Sequence, residues 1–267
     1  MTLEGPIRSW LYAPGHSEKL LGKVFEAGAD AVVLDLEDAV PAELKASARG
    51  LVAEVVSERQ AWVRINVPRS PLAEADLAAV AASAAGLRLP KVESEADVAW
   101  VAERAPGKPL ACTIESAAGL HRAAEIAAAP ATSMLVIGTA DLAADLGLGG
   151  GWEPLLYARS HLVLVSRVAG IAAPCDGAFT GPDGDGLRKA AEHARRLGFG
   201  SKSAIRPHQV PVINEVFAPN DQELAWARSV VAAFASSGGA ATRLDDGTLV
   251  DVPVARRAQR LLEMAAR

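Results

Sequence analysis

Two acidic residues, Glu115 and Asp141, each follow a short apolar stretch with the length and flanking residues of a buried parallel strand. The stretches are 109–114 and 133–137, with a helical pattern between them. Because consecutive parallel strands of α/β folds end at one edge, where ligands sit, both carboxylates are expected there. Two carboxylates with a basic residue nearby suit a hard divalent cation such as Mg²⁺. The spacing therefore predicts a metal site.

Helix capping is the alternative explanation for both carboxylates. Glu115 precedes a predicted helix at 116–129, and Asp141 precedes one at 142–147. Negative charge is favoured at helix N-termini by the helix dipole. Capping accounts for each residue separately, so the two carboxylates alone leave both explanations open.

Composition excludes several classes of protein. The chain has 267 residues, enough for one α/β barrel or two smaller domains. Its 50% hydrophobic and 22% charged residues are values of a globular protein. A net charge of −5 offers no footprint for nucleic acid. No stretch of about eighteen apolar residues occurs, so we expect neither a nucleic-acid partner nor a membrane span.

The two cysteines, Cys112 and Cys175, both fall in predicted strands, far apart in sequence. They are expected to be buried free thiols, as in a reducing compartment. The first residues lack the basic-then-apolar order of a signal peptide. A cytoplasmic location is therefore predicted.

Eight strands alternating with helices are predicted along the chain. The predicted strands are 8–13, 31–36, 61–66, 87–92, 109–115, 133–138, 171–178 and 200–205. The predicted helices are 17–27, 43–57, 73–83, 95–104, 116–129, 142–147, 152–169, 183–197 and 208–217. This alternation is typical of a TIM (β/α)₈ barrel, with a doubly wound sheet as the alternative. No linker divides the run, so residues 1–218 are predicted to be one barrel domain.

Residues 219–267 exceed the barrel and are predicted to form a C-terminal appendage. It would contain a helix at 221–236, a hairpin turn at Asp245-Asp246-Gly247 and a last helix at 254–266. An appendage outside a closed barrel is expected to cover the barrel or to contact another subunit.

Alternation along the strands sorts the polar residues by face. Asp35 and Glu37 lie opposite two leucines, and Arg64 shares a face with Asn66 in the next strand. Because helices cover the outside of a barrel, these polar side chains are expected to point inward. Burying one charge there is costly, but several charges of both signs near the carboxyl ends indicate a site. The residues expected to converge are Asp35, Glu37, Arg64, Asn66, Glu115 and Asp141.

Several segments of the chain carry a family resemblance. The segments are RSWLYAPG at 8–15, GADAVVLDLEDAV at 28–40, VRIN at 63–66, LPK at 89–91, IES at 114–116, GFG at 198–200 and LVDVP at 249–253. Together they resemble the citrate lyase β-subunit family, whose relatives include malyl-CoA and citramalyl-CoA lyases. The resemblance implies a TIM barrel, commonly a homotrimer, that uses Mg²⁺ to make or break a carbon–carbon bond beside a thioester.

The resemblance also implies roles for individual residues. Glu115 and Asp141 would be the Mg²⁺ ligands, and Arg64 would bind oxygens of the substrate. Asp251 matches an aspartate that in some relatives reaches a neighbouring subunit's site as an acid or base.

The chain departs from the family pattern at two places. Ala140 replaces the first residue of the family's acidic pair, and the segment 139–142 instead resembles metal-dependent pyruvate aldolases. Arg206 stands at the family's histidine position, with His208 two residues later. Both departures leave the implied metal ligands intact and concern the substrate.

The resulting functional hypothesis is a Mg²⁺-dependent lyase that splits a 3-hydroxyacyl thioester, citryl-, malyl- or citramalyl-CoA-like, into a keto acid and an acyl thioester. Arg64 would supply a charged fork for the developing oxyanion. Asp251 would be the general base, with hydroxide on the metal as the alternative. The other hypotheses are a pyruvate-type aldolase and a non-catalytic subunit that holds an acyl-CoA or acyl-carrier thioester for partner lyase subunits.

Two basic residues offer a further alternative. Lys45 and Arg49 share one face of the predicted helix 43–57. They would either meet phosphates of coenzyme A or form a solvated basic stripe.

Overall fold

Eight parallel strands close into a barrel in the computed structural model of the protein, which describes residues 7–149, 151–181 and 185–265. The strands are β1 (Ser9–Pro14), β2 (Ala31–Asp35), β3 (Trp62–Arg64), β4 (Gly86–Leu89), β5 (Leu110–Ile114), β6 (Thr132–Ile137), β7 (Ala172–Asp176) and β8 (Ser201–Ala204). Each strand pairs with the next, and β8 pairs with β1. The TIM-barrel prediction is confirmed, and the doubly wound alternative is wrong.

Helices follow the strands in the predicted alternation. They are α1 (Glu18–Lys23), α2 (Lys45–Glu58), α3 (Pro71–Val80), α4 (Glu95–Arg104), α5 (Ala117–His121), α6 (Ala123–Ala128), α7 (Thr139–Asp145), α8 (Leu156–Ala169), α9 (Asp185–Leu197) and α10 (Gln209–Phe217). Local capping explains several of the helix starts. The Ser70 hydroxyl accepts a hydrogen bond from the Ala73 N–H, with Pro71 in the first turn of α3.

Large side chains fill the barrel interior. Trp10 and Trp62 pack edge to face, with ring centroids 5.0 Å apart. Gly86 makes room for this pair, because a Cβ there would lie 2.6 Å from the Trp62 ring. Val33 belongs to the same interior cluster, so the face that continues to Asp35 points inward as alternation predicts.

Both cysteines are free and buried, as expected. Cys175 belongs to the interior cluster of the barrel. Cys112 lies within β5, where its Sγ is 3.7 Å from the Thr132 hydroxyl.

The predicted helix 116–129 is wrong as a single element. Arg122, with φ −100° and ψ 14°, separates α5 from α6. The segment contains no proline, and its one glycine, Gly119, lies inside α5, so periodicity gave no signal of the break. Gly119 instead marks a close approach, because a Cβ there would lie 2.5 Å from the carbonyl oxygen of Val92.

The chain from residue 215 onward forms a second compact unit, and residues 7–214 form the first. The second unit contains α11 (Asp221–Ser236), the antiparallel strands β9 (Thr242–Arg243) and β10 (Leu249–Val250), and α12 (Val252–Ala265). Its core joins α11 and α12 through residues such as Val230 and Ala258. The hairpin prediction is confirmed, with Gly247 at φ 86° in the turn. None of the described helices is long and apolar enough to cross a membrane.

Candidate metal and substrate site

Arg64 is held by the carboxylate of the neighbouring strand. Asp35 and Arg64 are register partners at the carboxyl ends of β2 and β3. The Arg64 Nε and Nη2 donate to the two oxygens of Asp35 at 2.7 and 2.6 Å. Asp35 also accepts the backbone N–H groups of Glu37 and Ala39. Asp35 therefore orients Arg64 and the following loop, and its oxygens are already engaged.

Glu37 is the second carboxylate against Arg64. Its Oε2 is 2.9 Å from Nη1 of Arg64, and its Oε1 is 3.3 Å from Nζ of Lys91. Burial raises the pKa of Glu37, while the Arg64 charge opposes that shift. Burial alone would lower the pKa of Arg64, but the hydrogen bond and the charge of Asp35 raise it by more than burial lowers it. The guanidinium therefore stays charged. The Arg64 side chain is 19% exposed, which leaves it open to a ligand.

Lys91 is a residue that the sequence analysis did not single out for the site. It follows β4 in the left-handed conformation, with φ 49°. Non-glycine residues pay a conformational cost there, and such residues cluster at functional sites. The strained backbone aims the Lys91 N–H at Oε1 of Glu115, at 2.7 Å. Lys91 therefore touches Glu37 with its side chain and Glu115 with its main chain.

Glu115 follows β5 directly and is 7% exposed. Its side chain packs against the backbone of Gly138, where a Cβ would lie 2.3 Å from Oε2. Burial raises the pKa of Glu115 to about 7, with further increases from the negative charges of Asp141 and Glu37. The N–H of Lys91 opposes this shift. Glu115 is thus a carboxylate whose charge is poorly compensated by the protein alone.

Asp141 lies in the first turn of α7, and its side chain is exposed. Neither carboxylate is the side-chain cap of its helix. Ser116, rather than Glu115, caps α5 by accepting the Gly119 N–H at 3.1 Å. α7 has no side-chain cap. Capping therefore does not account for Glu115, and Asp141 gains only the favourable dipole of the first turn.

The donor set fits a hard cation. Glu115 and Asp141 offer carboxylate oxygens, and Mg²⁺ prefers one or two carboxylates together with water or substrate oxygens. A bound cation would compensate the buried charge of Glu115 and favour its ionised form. Within the described residues, no group of three or more His, Cys, Asp or Glu is placed to hold a metal ion. The site therefore suits a cation that shares its coordination sphere with a substrate.

Asn66 lies at the predicted edge but is committed to the scaffold. β3 ends at Arg64, because the backbone N–H of Asn66 donates to Asp76 of α3 at 2.9 Å instead of continuing the strand. The Asn66 amide donates to the same carboxylate at 2.7 Å and to the Leu36 carbonyl at 3.0 Å. Asn66 thus braces the loop after β2.

Lys45 and Arg49 do not form a solvated basic stripe, because both contact the protein, and their contact with phosphates of coenzyme A stays a prediction. Lys45 donates to the carbonyl oxygens of Leu36 and Glu37, both at 2.8 Å. Arg49 donates to Asp76 at 2.9 Å. Both cations join Asn66 in fixing the loop that carries Glu37.

Asp251 belongs to the C-terminal unit. Its Oδ1 accepts the Val254 N–H at 3.1 Å, the contact of a residue that caps the start of α12. Its role as an acid or base stays a prediction.

Comparisons with known proteins give the family. Residues 8–207 match the HpcH/HpaI aldolase/citrate lyase family. A (3S)-malyl-CoA thioesterase of Cereibacter sphaeroides is 38% identical over 268 residues, covering 92% of this chain and 90% of that protein. An L-malyl-CoA/beta-methylmalyl-CoA lyase of the same species is 34% identical over 302 residues, covering 97% and 95%.

A solved structure is similar over nearly the whole chain. Protein CitE from Mycobacterium tuberculosis, in complex with magnesium, acetoacetate and coenzyme A, has a TM-score of 0.85 and 33% identity, with 98% of each chain covered. The resemblance inferred from the sequence segments is confirmed. The chain belongs to the HpcH/HpaI aldolase/citrate lyase family.

Proposed function

We propose that the protein is a Mg²⁺-dependent carbon–carbon lyase that cleaves a 3-hydroxyacyl-CoA thioester into a keto acid and an acyl-CoA. The observation that carries the proposal is the placement of Arg64. Its guanidinium is oriented by Asp35 and Glu37, and its charge is among those that act on Glu115. A fixed cation beside a carboxylate pair suits a substrate whose oxygens gain negative charge during cleavage.

The protein's own groups divide the work of the reaction. Mg²⁺, when held by Glu115 and Asp141, supplies Lewis-acid polarisation of a substrate oxygen. Arg64 binds the oxygen on which charge develops, and removal of such a group typically costs about a hundred- to a thousand-fold in rate. Lys91 fixes the Glu115 carboxylate through its N–H and offsets the charge of Glu37.

The proposal also includes the parts that the sequence left as predictions. Asp251 is the proposed general base, acting across subunits of a homotrimer. A protein-bound acyl carrier and partner lyase subunits are the alternatives to free CoA and an independent enzyme. The cytoplasmic location stays a prediction.

One relative favours a second reaction to be tested beside the first. The 38% identical thioesterase bears the name of a hydrolase of malyl-CoA. Hydrolysis adds water across the carbon–sulfur bond and releases the hydroxy acid and the free thiol of coenzyme A. Carbon–carbon cleavage leaves the thioester intact and releases a keto acid.

The test is a product analysis with citryl-, malyl- and citramalyl-CoA in the presence of Mg²⁺. We expect the 2-oxo acid (a keto acid, or glyoxylate from malyl-CoA) and acyl-CoA in equal amounts, without free thiol, and no turnover when Mg²⁺ is chelated. Glu115→Ala is expected to be inactive. Glu54→Ala, which removes an exposed carboxylate on α2, is the matched control.

Three results would contradict the lyase assignment. Free thiol without keto acid would indicate a thioesterase. Cleavage of free hydroxy acids without CoA would indicate a pyruvate-type aldolase. Mg²⁺-dependent thioester binding without any product would indicate a non-catalytic subunit.

A further inference from the structure

Arg88 is a buried cation inside the barrel. It lies on β4, next to Arg64 in register, and is 2% exposed. Its Nη2 donates to the Ser203 hydroxyl at 2.9 Å and lies 3.9 Å from Sγ of Cys175. The Nε and Nη1 atoms are buried without a hydrogen-bond partner among the described residues. Among the residues that the structure describes, no carboxylate forms an ion pair with Arg88. The positive charge of Arg88 is therefore not compensated by an acid.

The Arg88 guanidinium packs against aromatic rings instead of a carboxylate. The Arg88 Cζ lies 5.0 Å from the centroid of the Tyr12 ring and 5.7 Å from that of Trp10. The Cζ of Arg64 lies 5.3 Å from the same Tyr12 ring. Cation–π contacts attract a guanidinium without neutralising it. Tyr12 therefore lies close to two cations, of which only Arg64 is paired with acids.

This imbalance bears on what can bind at the barrel mouth. Arg64 is offset by Asp35 and Glu37, and Lys91 is offset by Glu37. Arg88 adds a net positive charge inside the barrel. In a medium of effective dielectric about 20, a unit charge on the protein that lies about 10 Å from a unit charge on the ligand changes the binding affinity roughly tenfold. The effect is multiplied for each further charge on the ligand. A ligand that places more negative charge near the barrel interior therefore gains more affinity from Arg88.

We propose that Arg88 is a specificity-determining residue that favours a keto-acid portion with two carboxylates over one with a single carboxylate. The inference rests on the proposed function and narrows it. The keto-acid half is dianionic, as in oxaloacetate, so a citryl-CoA-like thioester is preferred over malyl- and citramalyl-CoA. Arg88 acts through its charge, since its buried nitrogens are not open to the ligand.

The test compares oxaloacetate with pyruvate, which lacks the second carboxylate, by calorimetric titration in the presence of Mg²⁺. We expect the wild type to bind oxaloacetate more tightly. Arg88→Met, which keeps most of the volume and removes the charge, is expected to lower the ratio of the two affinities about tenfold. Arg88→Lys keeps the charge and is expected to retain the ratio. Affinity for Mg²⁺ alone is expected to be unchanged or higher in Arg88→Met, because a repelling charge is gone.

A lower ratio of the two keto-acid affinities together with undiminished Mg²⁺ affinity separates the loss of charge from damage to the barrel. Weaker Mg²⁺ binding together with equal losses for the two keto acids would indicate a damaged barrel and would overturn the inference. Ser203→Asp provides a second route should Arg88→Met not fold, because the new carboxylate would neutralise Arg88 in place. It is expected to lose the dianion preference as well. An unchanged ratio in a folded Arg88→Met or Ser203→Asp would also overturn the inference.

Failure of the proposed function is visible separately. If the wild type binds neither keto acid with Mg²⁺, the lyase proposal fails. If the wild type binds both and the ratio does not respond to the variants, only the assignment of Arg88 fails.

Discussion

Arg64 depends on both the shape and the charge of its guanidinium. One edge of this planar group donates two hydrogen bonds to Asp35, and the group also forms an ion pair with Glu37. Lysine would keep the charge but not the two parallel hydrogen bonds to Asp35. We expect Arg64→Lys to lower kcat by about a hundred- to a thousand-fold. Steady-state kinetics of thioester cleavage would measure the loss.

The fold should survive this substitution, since Arg64 sits at the end of its strand. A thermal melt of Arg64→Lys close to that of the wild type is the necessary control. A folded Arg64→Lys enzyme with a near-normal rate would reduce Arg64 to a source of general positive charge.

Because Glu115 is a proposed Mg²⁺ ligand, its raised pKa predicts that Mg²⁺ affinity depends on pH. Burial raises its pKa to about 7, so a proton competes with Mg²⁺ below that pH. With one competing proton, the affinity for Mg²⁺ is expected to fall about tenfold between pH 8 and pH 6. Calorimetric titration with Mg²⁺ at several pH values would measure the slope.

The same shift has a consequence for stability without metal. Because the folded pKa of Glu115 is raised, its contribution favours the fold at low pH and is lost as pH rises through 7. Glu115→Gln should therefore melt at least as high as the wild type at pH 8 without Mg²⁺. The residual Mg²⁺ affinity of Glu115→Gln should no longer change with pH between pH 6 and pH 8. A pH-independent wild type would contradict the assignment of Glu115 as a ligand.

Side-chain alternation is sufficient to bring Asp35, Glu37 and Arg64 to one end of the barrel, because strand parity is a local property. It could not assign Asn66, whose backbone N–H is taken by a carboxylate from a different element, α3. It also could not find Lys91, because a left-handed backbone at a non-glycine residue leaves no mark in the sequence.

At the scale of elements, the contact between Glu115, just after β5, and Gly138, just before α7, positions one of the proposed metal ligands. Gly138 links β6 to α7, and its missing side chain gives Glu115 its space. In Gly138→Ala the new Cβ would lie 2.3 Å from Oε2 of Glu115, so the carboxylate must move. We expect a loss of about ten- to a hundred-fold in Mg²⁺ affinity. Overpacking should also cost about 1–3 kcal/mol of stability.

Gly149→Ala is the matched control for this prediction. Position 149 is exposed, and a Cβ added there would meet no heavy atom of the described residues within 4 Å, apart from its own chain neighbours, so the added methyl should change neither Mg²⁺ affinity nor melting temperature. Calorimetry and thermal melts on both variants would test the pair. Wild-type Mg²⁺ affinity in Gly138→Ala would show that Glu115 does not bind the metal in this position.

Element boundaries show where periodicity stops being informative. Most of the eight strands are recognisable because they are short apolar runs followed by a turn or a helix signal, and β8, with the sequence SKSA, is the exception. The break at Arg122 is not recognisable, because the surrounding alanines satisfy a continuous helix equally well. Packing at Gly119 is a tertiary constraint, and a pattern along one chain does not contain it.

On the scale of the molecule, the residues proposed for catalysis belong to two parts of the chain. Arg64, Glu115 and Asp141 belong to the barrel unit, and Asp251 belongs to the unit that follows it. The family resemblance places the acid or base of some relatives in a neighbouring subunit. A heterologous contact forms a ring when its rotation closes, so the proposed homotrimer would supply every site with the same residue of a neighbouring subunit.

Subunit mixing tests this arrangement directly. Asp251→Asn and Glu115→Gln homo-oligomers are each expected to be inactive. After exchange of the two variants in equal amounts, about a quarter of the sites would combine an intact Glu115 with an intact Asp251 from the neighbour, by random pairing around the ring. We therefore expect activity to return to about that fraction of the wild type, with native mass spectrometry confirming mixed trimers. Mixed trimers without activity would mean that Asp251 serves its own subunit or takes no part in the chemistry. In that case its contact with the Val254 N–H would be its whole role.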